Sequence, residues 1–447
     1  SMYIFLEKKD RLMRFRLLIN FFLVVGLAQA QENKFSLKEA VDMAIKQNLD
    51  IQIANADLDI AKNNNNWGNA GALPTVNANL SNTEAVSNID QKLANGSSIQ
   101  RNNVSNSSIN SNLSISWRIY NGKRISATKE RFEVIEKMGS IALDQQIGQI
   151  IFDVTNIYHN IIRLNKQILA TKAIISLSEE RYKIAETRFN VGSGAKTDML
   201  QAEIDLNAQR VNLENINIQL ENTVASMNAI LKRKVDEVFV AIEDEFNVPK
   251  IDFGSLVSIL EKQNYQLLMA QQERQNILND RKIINSQRLP ILSLNSNTVL
   301  NKQRSTAGFF LTNQTFGPNI GLGLAIPIFN GNINRTQLKS NAIQEKRQTL
   351  QIEQLRISLQ RDLLIAYQEY ENAMKIIEIE ESNVKLAEEN NFISTERFKK
   401  LVSNSIELRQ AQLSLIEAEN RYINAQFRAQ VAVTTLQFLT GEINKLL

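Results

Sequence analysis

Side chains able to make or break bonds are few in this 447-residue chain. His159 is the only histidine and cysteine is absent, so one copy offers neither a histidine-based metal site, a Ser-His-Asp triad nor a thiolate nucleophile. On its helical stretch beside Tyr158, His159 reads as an ordinary packed or solvated residue. No G-x-x-x-x-G-K-[ST] loop is present to hold a nucleotide phosphate, and Gly321 and Gly323 fall inside a strand pattern. Glu378, Glu380, Glu381, Glu388 and Glu389 crowd one helical segment in the manner of a charged, solvated face rather than an acid–base pair. The expectation is therefore no enzyme, no cofactor and no metal. Asp198 and Glu407 stand apart, each at the start of a helix, where the dipole favours an acid.

Composition narrows the class further. A net charge of +4 is small for this length, and no basic run is interleaved with aromatics, so nucleic acid is not expected as a partner. With 16 glycines and 5 prolines the chain favours long uninterrupted helices. From Met13 it reads MRFRLLINFFLVVGLAQA: two arginines, an apolar core at Leu17–Leu27, then Ala28-Gln29-Ala30. That is the pattern of a secretory signal peptide cut before Gln31, and its core is too short for a bilayer span of ~20 residues. Residues 1–30 are thus read as a leader, with Met2 or Met13 as the start. No other segment is apolar enough for a transmembrane helix, so any membrane entry must be by strands.

An internal repeat organises the rest. Asn48 and Leu73-Pro74 recur as Asn264 and Leu289-Pro290, and Ile119-Tyr120-Asn121-Gly122 recurs as Ile328-Phe329-Asn330-Gly331. The same later register carries Tyr158 to Tyr367, Arg188-Phe189 to Arg397-Phe398, and Gln201-Ala202 to Gln410-Ala411. Repeat 1 is placed at 31–231 and repeat 2 at 253–441, with a linker at 232–252 and a tail at 442–447. Each copy should read helix, strand, loop, strand, long helix, turn, helix. Ser36 and Glu39 form a capping box that starts the first helix, expected to run to about Ala70. Period-two alternation predicts strands at 74–81 and 109–120, then 290–299 and 316–329, with one wet and one greasy side. Pro327 warns of an edge or bulge. Proline-free stretches at 123–190 and 332–400 predict long helices, followed by helices at 195–231 and 405–440. The first carries a seven-residue repeat (Ile147, Val154, Ile161, Ile168, Ile175, Tyr182, Phe189), the mark of supercoiled packing.

Four strands of about ten residues suit a membrane barrel but cannot close one, and an open edge in lipid leaves backbone amides unpaired. Several copies must pool strands. Two would give eight strands and a barrel filled by side chains, and three would give twelve and a channel. Trp117, Tyr120, Phe309, Phe310, Phe316 and Phe329 lie at strand ends, where aromatic girdles sit. The fold class expected is mainly α with a membrane β-barrel portion.

The duplicated pattern, the Leu-Pro opening the strands and the turn Arg188-Phe189-Asn190-Val191-Gly192-Ser193-Gly194-Ala195-Lys196-Thr197-Asp198 resemble the TolC family of outer-membrane efflux proteins across nearly the whole mature chain. The resemblance implies a homotrimer, a twelve-stranded barrel in outer-membrane lipid and a coiled-coil periplasmic duct. It also implies a periplasmic adaptor protein and an inner-membrane transporter of RND, ABC or MFS type as partners. By that resemblance Asp198, Glu407 and Gln410 lie at the periplasmic aperture. Val191, Gly192, Ser193, Gly194, Leu401, Val402 and Ser403 form the turns that meet the adaptor. Phe398 and Ser403 replace a Tyr and an Arg that lock the turns in the best-known member, so packing is expected to do more of the closing here. The implied function is passive export of small molecules. Alternatives are the outlet of a type I protein secretion system and, in another class, a trimeric structural or adhesive protein.

Overall fold

The computed structural model describes residues 34–243, 251–307, 310–400 and 402–446. The leader, part of the 232–252 linker, Phe309 and Leu401 lie outside the described residues. In chain order the elements are β1 (Lys34–Phe35), α1 (Leu37–Gln47), α2 (Leu49–Asn64), β2 (Thr75–Lys92), β3 (Ser98–Asn121), α3 (Arg124–Asn190) and α4 (Lys196–Ile230). Then come β4 (Val240–Ala241), α5 (Phe253–Gln263), α6 (Tyr265–Ser286), β5 (Ile291–Ser305), β6 (Thr312–Ala325), α7 (Ile333–Lys399), α8 (Ser405–Thr440) and a 3-10 turn at Ile443–Leu446. They divide into two compact units. One combines the chain up to Gln52 with Gln146–Asn264 and everything from Leu359; the other combines Ile53–Gln145 with Tyr265–Ser358.

The second unit holds the sheet, antiparallel throughout in the order β2-β3-β5-β6. Its register puts Val76, Ile115, Ser296 and Ile320 in one row and Trp117, Leu294 and Leu322 in another on the same face. The opposite face carries the row Asn77, Ser114, Asn297 and Asn319. One side is therefore apolar and exposed, the other amide-rich, as alternation demands. Strand β6 stops at Ala325, short of the expected 329, because Pro327 has no N–H for the ladder. Strands β2 and β3 run well past the expected 81 and 109. There the apolar alternation ends, and the ladder continues on backbone bonds and polar pairs such as Ser107 to Glu84 (2.6 Å) and Gln100 to Asp90 (2.9 Å). The β3–β5 ladder ends at Asn106, just beyond which the Ser105 amide donates to Thr306 Oγ1 (2.9 Å) and its carbonyl accepts from the Thr306 amide (3.0 Å), and β2 and β3 continue as a hairpin to the turn at Leu93–Ser97.

In the first unit the single helix expected over 36–70 is broken. The capping box at Ser36 and Glu39 is formed, but Asn48 is extended and splits α1 from α2. Its Nδ2 donates to the Ile230 carbonyl (3.0 Å), while its Oδ1 accepts from the Asp50 amide (2.8 Å). One buried amide thus serves the end of α4 and the start of α2, and α2 itself stops at Asn64 rather than Ala70. Asn264 holds the matching extended position between α5 and α6, its Nδ2 donating to the Leu439 carbonyl at 2.9 Å. Along α3 the seven-residue face is buried at Val154, Ile161 and Ile168. The buried stripe then passes to Thr171, Ile174, Ser178, Arg181 and Ala185, leaving Phe189 exposed. At that level α3 packs through Ile174 on Ala387, Leu415 and Ala418 of α7 and α8.

Candidate functional site

Two turns in the helical unit carry the residues singled out by sequence. In the first, α3 ends at Asn190 and the amides of Ser193 and Gly194 both donate to the Arg188 carbonyl, at 2.9 and 3.0 Å. Gly192 has φ +77, a conformation side chains rarely adopt, and a Cβ on Gly194 would lie 2.8 Å from that of Arg188. The glycines are thus fixed by the tightness of the turn. Helix α4 follows with Asp198 in its first turn. In the second turn Asn404 caps α8, its Oδ1 accepting from the Glu407 amide at 2.9 Å. A polar cap here replaces the glycine geometry of the first copy.

The two turns are joined within one chain. Ser405 Oγ donates to Asp198 Oδ1 at 2.9 Å. The Arg188 guanidinium lies 4.5 Å from the centroid of the fully buried Phe398 ring, a cation–π contact. Glu407 pairs with Arg397 at 3.0 Å, both partners about half exposed. Lys399 reaches Glu180 at 2.8 Å, a hydrogen bond that raises the pKa of its ammonium. Val191 and Val402 are exposed at the two turns, Ser193 Oγ bonds back to the Arg188 carbonyl, Gln410 is exposed one turn beyond Glu407, and Ser403 Oγ is buried with no hydrogen-bond partner among the described residues.

Sequence reasoning missed the cluster that follows the turns. Asp205 of α4 accepts from Arg181 of α3 (2.5 Å) and from Arg409 of α8 (2.9 Å), and Gln201 adds a third bond at 2.9 Å. Arg181 is only 4% exposed. Burial alone would raise the Asp205 carboxyl, but the bonds from Gln201 and Arg181 and the charges of Arg181 and Arg409 outweigh it and hold its pKa below the usual range. The Gln201–Asp205 spacing was legible as a helical pair, while the two arginines come from other helices. Ser405 was missed for the same reason. The arrangement binds helices together; among the described residues no group of metal ligands is assembled.

The model of the outer membrane efflux protein family matches residues 40–231 and 256–442. No curated protein matches the chain. Among solved structures, the outer-membrane channel OprN is similar over 91% of this chain and 90% of its own, with TM-score 0.76 and 15% identity. The outer membrane protein VceC of Vibrio cholerae gives TM-score 0.72 at 16% identity, over 91% of this chain and 96% of that one. The CmeC outer membrane channel of Campylobacter jejuni gives 0.73 at 15% identity, over 91% and 85%. At such identities the likeness establishes the fold. The family match spans the helices and strands of both copies of the repeat, and on that ground the chain belongs to the outer membrane efflux protein family.

Proposed function

We propose that three copies of this chain pool their strands into a twelve-stranded barrel and continue as a helical duct through the periplasm. The duct is a passive outlet for small molecules, fed by an inner-membrane transporter of RND, ABC or MFS type through a periplasmic adaptor protein. The supporting observation is a four-stranded sheet with one exposed apolar face and two edge strands, β2 and β6, that have no further neighbour among the described residues. In hydrocarbon each unpaired amide costs several kcal/mol, so these edges require strands from other copies. Two copies would leave a barrel filled by side chains and three a channel lined by the Asn-rich face.

At the helical end, Asp198, Glu407 and Gln410 are assigned to the aperture. Val191–Gly194 with Val402 and Ser403 are assigned to adaptor contact, and Leu401 joins them by sequence. Planar-bilayer recordings of the purified protein test the reading. A stable ohmic conductance, with cross-linking that stops at three chains, is expected. A protein that inserts without conducting would instead be a structural or adhesive trimer.

A further inference from the structure

Within the helical unit, α3, α7 and α8 each have one side covered by β1, β4 or the start of α5. Tyr158 Oη of α3 lies 2.8 Å from the Phe35 carbonyl and 2.6 Å from that of Ile242. Gln426 of α8 accepts from Lys166 at 2.9 Å, and Lys166 also pairs with Glu243, just past β4. Tyr367 of α7 packs on Phe253, with ring centroids 5.1 Å apart. At about 100° per helical residue, Arg163 and Gln167 lie on the far side of α3 from Tyr158. Asn424 and Arg428 likewise lie opposite Gln426, and Glu369 and Ile376 opposite Tyr367. Helix α8 is bonded to α3 through Arg163 and Asn424 (3.4 Å) and to α7 through Arg421 and Glu380 (2.7 Å). Both its flanks are therefore filled within one chain.

On the uncovered side a groove of about 690 Å³ runs between α7 and α8, within the ~300–1,000 Å³ range of small-molecule sites. Its floor is Ala373 and Ala425, 3% and 4% exposed, whose small side chains leave the hollow. Ile376 and Phe427 add apolar wall, and the Arg163 guanidinium, 5.3 Å from the ring centroid, braces Phe427. Four charged groups line the groove. Glu380 and Arg421 satisfy each other. Glu369 and Arg428 are exposed, and neither has an ion-pair or hydrogen-bond partner among the described residues. One free carboxylate and one free guanidinium thus border the same partly apolar hollow.

We propose that this groove is a transit site for zwitterionic small molecules with an apolar body. The ammonium of the passing molecule donates to Glu369, its carboxylate accepts from Arg428, and its apolar part lies over Ala373, Ala425 and Ile376. A molecule with a single charge leaves one of the two groups unanswered and forfeits a charge-assisted bond. The inference rests on the proposed duct. A conduit needs its inner surface clear, so the side covered by β1 and β4 faces outward and the groove faces the flow.

The test records single-channel currents of the full-length protein in planar bilayers with Nε-dansyl-lysine as the probe. Dansylcadaverine is the same molecule without the carboxylate, and dansyl-aminohexanoate the same without the ammonium. Dansyl-lysine should interrupt the current at concentrations about ten-fold below either. Glu369→Gln should weaken its block about ten-fold and bring it level with dansyl-aminohexanoate. Arg428→Gln should likewise bring it level with dansylcadaverine. Lys385→Gln with Glu378→Gln, on the Tyr367 side of α7, should leave the block unchanged. Equal block by all three probes, or a dansyl-lysine block that neither groove variant moves, overturns the proposal. A channel that conducts and is never blocked removes this site and leaves the duct standing, whereas a protein that never conducts removes both. An Asn372→Cys protein, free of other thiols, should lose current when a charged methanethiosulfonate modifies it, and dansyl-lysine should slow that modification. Modification without a change in current, or no modification at all, would put the groove outside the flow, and the proposal fails.

Discussion

Replacing Asp205 with asparagine should loosen the turns where α3, α4 and α8 meet. At the observed 2.9 Å, one charge pair with Arg409 is worth about 6 kcal/mol before desolvation at an effective dielectric of ~20. Stripping water from Arg181 consumes much of that, and truncating one partner of a buried pair costs about 3–5 kcal/mol. Asparagine keeps an acceptor for Arg181, and Arg409 is nearly half exposed, which discounts the loss to about 2–3 kcal/mol. Loosened forms would then rise about 30- to 150-fold. Hydrogen exchange over 174–190 and 405–415 should accelerate, and single channels should open more often.

Acid gives an independent handle. The folded pKa of Asp205 is held below its unfolded value, so its stabilisation is complete above about pH 4 and disappears as pH falls through the folded pKa. Wild-type channels should therefore loosen in that window, whereas Asp205→Asn channels should be loose at all pH and show no step there. Matching exchange, open probability and acid response in the two proteins would refute the clamp.

The remaining predictions concern the aperture and the sheet–helix junctions. Since Arg397 sits beside Glu407, Glu407→Gln should lower cation selectivity and Arg397→Gln should raise it. The pair is half exposed and worth under about 1 kcal/mol, so neither change should unfold the protein; reversal potentials in a salt gradient that move for neither variant would remove the pair from the pore. Gly122→Ala should cost several kcal/mol more than Gly331→Ala. Both have positive φ, worth about 1–3 kcal/mol of strain for a side chain, but only Gly122 is walled in by Ser286 and Leu289. Equal thermal midpoints for the two would contradict the packing described.

What the sequence disclosed and what it hid follow from the range of each interaction. Local periodicity revealed both long helices and the greasy rows of the sheet, because each repeats along the chain. The outer half of the β2–β3 hairpin escaped because its pairs, such as Ser107 with Glu84, are polar and the ladder needs no apolar alternation. Asn48 was visible as a repeated letter, but only its bond to the Ile230 carbonyl, 182 residues away, shows why it breaks the helix. Asp198 and Glu407 could be placed at helix starts, while Ser405 and Arg397, which satisfy them, lie across a turn or on another helix. Arg181 shows the same limit: within α3 it looks solvated, and only Asp205 explains its burial.

In the proposed barrel the tip of the β2–β3 hairpin, at the strand ends away from the helices, would stand at the cell surface. Its turn, Leu93–Ser97, is exposed and closed by two backbone bonds at Leu93 and Gly96, so an inserted peptide there disturbs no row of the four-stranded sheet. An affinity tag or epitope placed in that turn should be reachable by antibody on intact cells, making the loop a practical display point for a protein otherwise sealed in its envelope.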